Sequence, residues 1–127
     1  MIAIDKTYLI SLLTKNNKNH KNTKKLQEKY KNEEKTLTTA TLQDIINTIQ
    51  KQTDEKLNYK IYQYIKTNYQ IKEAKYDEAM YYILKYKNKI SLTDATTLNL
   101  MYEEDINKIL SYNESFDKIT NITRIFK

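Results

Sequence analysis

Asp5, Asp44 and Asp94 are the residues whose type and setting could do chemistry. Asp5 ends the apolar run IAID at residues 2–5. Asp44 follows a Thr-rich run and opens an Ile-rich one, and Asp94 opens the segment SLTDATTLNLM. Carboxylates brought together repel unless they are protonated or neutralised by a cation. A hard cation such as Mg²⁺ or Mn²⁺ prefers oxygen ligands. One or two such ions, roughly 3.5–4 Å apart when there are two, activate a water and stabilise the leaving oxygen of a phosphodiester. The plainer reading of Asp44 and Asp94 is as acids at helix starts, favoured by the macrodipole. Asp5 resists that reading, because an acid ending a buried strand is costly unless paired or useful.

These acids need elements to position them. Residues 2–5 are expected to form a buried strand, followed by a helix over Thr7–Leu13 with Thr7 as its N-cap. Residues 15–35, rich in Lys and Asn, are expected to form a solvated helix with Leu26 and Tyr30 on its inner side. Residues 36–42 (TLTTATL) read as a second strand, and Ile45, Ile46 and Ile49 mark the helix after it. A helix over 55–67 places Leu57, Ile61, Tyr64 and Ile65 on one face. Residues 69–74 read as a strand, and residues 76–86 as an amphipathic helix with Ala79, Met80, Ile83 and Leu84 inward. Another helix covers Ser91–Met101, begun by Ser91 or Thr93. Residues 108–112 and 123–126 are strands, with a turn or short helix over 116–119. Alternating strands and helices imply a parallel sheet covered on both faces. Acids at the carboxyl ends of such strands converge at the topological switch point.

Composition bounds the function. The chain has 127 residues, which fits one domain over 1–127. It has no Cys, which excludes disulfides and thiolate metal sites. It has no Gly, so a Gly-rich phosphate loop is excluded, and with it the P-loop and dinucleotide-binding classes. Without Gly, turns of positive φ must use Asn; Asn16, Asn17, Asn88 and Asn121 are the candidates. The N-terminal apolar run is too short and too charged to span a membrane and lacks the marks of a signal peptide, so a cytoplasmic protein is expected. A net charge of +6, nearly all from Lys, favours a polyanionic partner. Lys15, Lys21, Lys24 and Lys25 are candidates for guiding an RNA backbone, against the alternative of a solvated helix face. The 12 tyrosines could stack on bases, but Tyr64 and Tyr82 sit at core spacing. His20, the only His, lies in a polar stretch and is not read as a catalyst. Glu103, Glu104 and Asp105 read as surface charge.

The segments IAIDKTYLISLL, TTATLQDIINTI, SLTDATTLNLM and ILSYNESFDKITNITRI, in this order and spacing, resemble the PIN domain. The nearest likeness is to VapC-type toxin nucleases of toxin–antitoxin pairs, and it runs nearly end to end. The resemblance implies a three-layer α/β/α sandwich around a mostly parallel sheet of four to five strands. It implies a Mg²⁺- or Mn²⁺-dependent endoribonuclease, an antitoxin partner and a homodimer. Asp5 matches the family's first acid, Thr7 the hydroxyl residue behind it, and Asp94 the third acid. Asp44 stands where the family usually has Glu, on a stem one methylene shorter. The family usually has a fourth acid where this chain has Asn113. Asn offers a metal only a neutral carbonyl oxygen. Three readings follow: the site runs on three acids, the preferred one; Glu114 or Asp117 substitutes; or the site is attenuated, naturally or by an introduced change, and the fold serves as an RNA- or protein-binding module.

Overall fold

The computed structural model describes residues 1–127. Five parallel strands form one sheet in the order β3-β2-β1-β4-β5. The strands are β1 (Ile2–Ile4), β2 (Lys35–Thr38), β3 (Gln70–Lys72), β4 (Lys108–Leu110) and β5 (Thr123–Ile125). Helices α1 (Lys6–Leu13) and α2 (His20–Lys29) link β1 to β2, and α3 (Thr39–Gln50) and α4 (Glu55–Asn68) link β2 to β3. Helices α5 (Tyr76–Lys85) and α6 (Leu92–Glu103) lead to β4, and a 3₁₀ turn (Glu114–Lys118) leads to β5. The fold is the expected three-layer α/β/α sandwich. The chain runs outward from β1 to β2 and β3, then returns to build β4 and β5 on the other side. The switch point therefore lies between the carboxyl ends of β1 and β4, where a ligand cleft is expected.

Alternation along the strands divides the core. Ile2, Ile4 and Leu110 face one side, packing with Leu9 and Leu12 of α1, Leu26 of α2, Ile45 and Ile49 of α3, and Ile61 and Ile65 of α4. Ala3 and Ile109 face the other side, with Ala79 of α5, Ala95, Leu98 and Met101 of α6, and Phe116. Tyr64 and Tyr82 pack against these two clusters, as their spacing suggested. Helix α6 is buried along Asp94–Met101, on all sides. Small residues permit this: Thr96 Oγ1 lies 3.0 Å from Thr38 Oγ1, and Thr97 Oγ1 lies 3.3 Å from Thr41 Oγ1.

Several boundaries differ from the reading of the sequence. The second strand stops at Thr38, because Thr38 caps α3 by accepting the Thr41 N–H at 3.2 Å. Residues 39–42 are thus helical, and Asp44 sits on the second turn of α3 rather than at its start. Helix α2 covers only part of 15–35. His20, at its first turn, is tied to α1 by an Nδ1–H bond to the Ser11 carbonyl at 2.9 Å. Met80 and Leu84 are exposed, Leu84 by 77%. Only Ala79 of α5 is fully buried, because α5 lies on α6 through a narrow stripe. Positive φ occurs at Asn88 and Asn121 as expected, but also at Lys87 and Asp105, and not at Asn16 or Asn17. Lys87 and Asp105 close helix C-termini: Asn88 N–H reaches back to Ile83 O at 2.9 Å, and Ile106 N–H to Met101 O at 2.8 Å.

Candidate active site

Asp5 leaves the end of β1 and caps α1, its side chain accepting the Thr7 N–H at 3.4 Å. The cap is therefore Asp5 and not Thr7. Thr7 instead donates its hydroxyl to Asp5 Oδ2 at 2.6 Å, and Ser111, just beyond β4, donates to the same oxygen at 2.8 Å. The Tyr112 N–H bonds Thr7 Oγ1 at 2.9 Å, and the Asn113 N–H bonds Ser111 Oγ at 2.9 Å. Two hydroxyls thus hold one oxygen of a carboxylate that is only 2% exposed, and two backbone N–H groups fix those hydroxyls. The β1 and β4 ends are stitched together at the switch point. Ser111 was not among the residues singled out from the sequence. Its only signal is its place near the end of the strand read over 108–112.

Asp94 faces this carboxylate from the first turn of α6. It is not the cap, since Ser91 takes that role by accepting the Asp94 N–H at 3.0 Å. The carboxyl is 7% exposed and its pKa is pushed up to about 7. Burial is the main cause, followed by the charge of Asp5; the Ser91 hydroxyl and the charge of Lys6 pull it partly back. Asn113 Nδ2 donates to Asp94 Oδ2 at 3.0 Å, while Asn113 Oδ1 accepts the Ser115 N–H at 3.0 Å and caps the 3₁₀ turn. Both contacts fix the amide in one orientation. Reversed, its oxygen would face a carboxylate and its NH₂ a backbone N–H. Asn113 therefore presents a donor to Asp94 and uses its oxygen elsewhere, contrary to a role as a carbonyl ligand.

Asp44 stands apart. It is one-third exposed and lies 3.8 Å from Lys6 Nζ. No three acids are gathered closely enough to form a metal-holding group. The shorter stem of Asp agrees with this separation. Of the two candidate substitutes for the fourth acid, Asp117 is exposed and accepts from Nε and Nη2 of Arg124, at 2.8 and 2.9 Å, and Glu114 is exposed. Lys15, Lys21, Lys24 and Lys25 are exposed. Helix α2, which carries the last three, is anchored beside the site, since Asn22 Nδ2 and Thr23 Oγ1 each lie 2.8 Å from the Tyr112 hydroxyl. Glu103 and Glu104 make surface pairs with Lys75 and Lys72.

The donor set suits a hard divalent cation. Asp5 and Asp94 are buried, mutually repulsive and all oxygen, and each commits one oxygen to protein donors, leaving the other for a ligand. A groove of about 460 Å³ between the end of α3 and the start of α4 has different chemistry. Its acids Asp54 and Glu55 are exposed, and Asp54 is spent capping α4.

Residues 2–122 match the model of the PIN domain, and the chain belongs to the PIN domain family. Solved structures agree in fold. Mycobacterium tuberculosis VapC20, described as a sarcin–ricin loop cleaving toxin, superposes with a TM-score of 0.77 at 13% identity, covering 96% of this chain and 98% of that one. VapBC2 from Rickettsia felis, bound to a DNA fragment from its promoter, gives 0.71 at 15% identity, covering 98% of each chain. A toxin–antitoxin complex from Klebsiella pneumoniae gives 0.72 at 15% identity, covering 97% of this chain and 96% of that one. No curated protein sequence matches the chain. No helix is long and apolar enough to cross a membrane.

Proposed function

We propose that this PIN domain, spanning residues 1–127, is a divalent-metal-dependent endoribonuclease and the toxin of a cytoplasmic toxin–antitoxin pair. The observation that carries the reading is the buried Asp5–Asp94 pair at the switch point, with the Asp94 carboxyl pushed up to about 7. Such a pair is costly as it stands and is relieved by a cation. Asp5 and Asp94 would hold Mg²⁺ or Mn²⁺, with Asp44 and Asn113 at its margin. The bound ion supplies a water activated for attack on phosphorus and a Lewis acid for the leaving oxygen. The protein's own part is positional. Thr7 and Ser111 fix Asp5, and Asn113 fixes Asp94. Lys15, Lys21, Lys24 and Lys25 attract the RNA backbone without reading sequence. An antitoxin partner is supported by the likeness to two toxin–antitoxin assemblies, and a homodimer goes with the family.

The orientation of Asn113 favours a second reading, in which the fold binds RNA or a protein without cutting. RNA cleavage in Mn²⁺ separates the two, with Asp94→Ala as control. Cleavage by the wild type that disappears in Asp94→Ala supports the nuclease. Cleavage gained only in Asn113→Asp means the binding module, and equal cleavage by wild type and Asp94→Ala removes the assigned site.

A further inference from the structure

We propose that Lys6 takes the place of a second cation: its ammonium neutralises Asp44 and meets an RNA phosphate, so that the site holds a single divalent ion. The inference rests on the nuclease reading above. Lys6 directly follows Asp5 and opens α1. Its Nζ lies 3.8 Å from Asp44 Oδ2, close enough to cancel charge but too far for a hydrogen bond. Its three N–H donors are thus uncommitted, and its side chain is 43% exposed. Its charge is also felt at Asp94. Lys6 therefore sits beside the outlying acid and directly follows one member of the buried pair.

In the RNA-free cleft, charge balance favours a single ion. Asp5, Asp44 and Asp94 carry three negative charges when ionised, Asn113 none, and Lys6 returns one positive charge. The remainder is two, which one divalent ion balances. A second ion would leave the cleft net positive and would have to displace Lys6 from Asp44. An ammonium is a strongly hydrated point charge suited to a phosphate oxygen.

Mn²⁺ binding to the metal-free protein, followed by electron paramagnetic resonance, tests the first half. The wild type should bind one ion. Lys6→Met and Lys6→Gln should bind a second ion at Asp44, or the first about tenfold more tightly, and Lys6→Arg should behave as wild type. Two ions on the wild type, both needing Asp94, would overturn the Lys6 proposal and leave the nuclease reading intact. No Mn²⁺ binding at all would overturn both. The second half is read by a non-cleavable 2′-O-methyl RNA. Its salt slope should fall by about 0.7 in Lys6→Met, the loss of one phosphate contact to a single strand. An unchanged slope would refute the phosphate contact.

Discussion

Replacing Asn113 with Asp exchanges a donor for an acid at a defined distance. Asn113 Nδ2 lies 3.0 Å from Asp94 Oδ2. The hydrogen bond to an ionised Asp94 contributes about 1.5–3 kcal/mol, which the variant loses. Two full charges at that separation would repel by about 5 kcal/mol at an effective dielectric near 20. The site avoids most of that by retaining a proton, which costs little because Asp94 already titrates near 7. The net loss in the metal-free protein is then about 2 kcal/mol, or about 8 °C in Tm for a domain of this length. The turn itself survives, since Asp caps as well as Asn and still accepts the Ser115 N–H. With Mn²⁺ the sign reverses, because the added carboxylate faces the cation and raises its affinity. The assay is thermal melting in chelator and in millimolar Mn²⁺, beside RNA cleavage. A variant that melts at or above the wild type in chelator, with no larger Mn²⁺ response, would refute the reasoning.

Ser111→Ala and Thr7→Val each remove a donor from Asp5 Oδ2 and should weaken Mn²⁺ binding about 10- to 100-fold, measured by calorimetry, as loss of an outer-shell partner does. Asp44→Ala should change Mn²⁺ affinity far less than Asp5→Asn or Asp94→Asn, because Asp44 stands outside the buried pair; equal losses in all three would place Asp44 among the ligands. The metal-free fold should lose stability as pH rises from about 4 to about 7, by up to about 1.4 kcal/mol per unit, because native Asp94 keeps its proton to higher pH than the unfolded chain does. Denaturant titration across that range checks the slope, which saturating Mn²⁺ should flatten or invert. Changing Lys21, Lys24 and Lys25 together to Gln should lower RNA affinity and reduce its salt slope by about 2; an unaltered slope would show that the RNA path avoids α2.

Much of the fold was legible because its signals are local. IAID, with three apolar residues and an acid, is a short buried strand in any reading, and Ile45, Ile46 and Ile49 leave little choice but helix. The errors have physical causes. Thr is at home in strands and also caps helices, so TLTTATL does not reveal that Thr38 ends one and starts the other. The Met80–Leu84 pair follows a helical period, but burial depends on what lies opposite, and α5 packs chiefly on α6 along another stripe. With no Gly, the left-handed positions fell partly to Lys87, which carries no turn signature, and to Asp105, whose type tolerates them as Asn does. The site was legible as residue types and not as roles. Asp5, Asp94 and Asn113 meet at one place, yet which group donates to which depends on tertiary distances that spacing does not encode.

The geometry gives each acid a different duty. Asp5 could be dismissed as a capping residue, since its side chain accepts the Thr7 N–H. A cap alone, however, does not need Thr7 and Ser111 hydroxyls on the same oxygen, nor two backbone N–H groups fixing those hydroxyls. That network settles one oxygen of Asp5 and leaves the other without a protein donor. Asp94 in turn is freed from capping by Ser91. Asp44 stands outside the pair, 3.8 Å from the Lys6 ammonium. Asp5 caps α1, but that role does not call for a second buried carboxylate facing it from α6. The arrangement stores repulsion that a cation relieves, and this makes ion binding, rather than cleavage, the first property to measure.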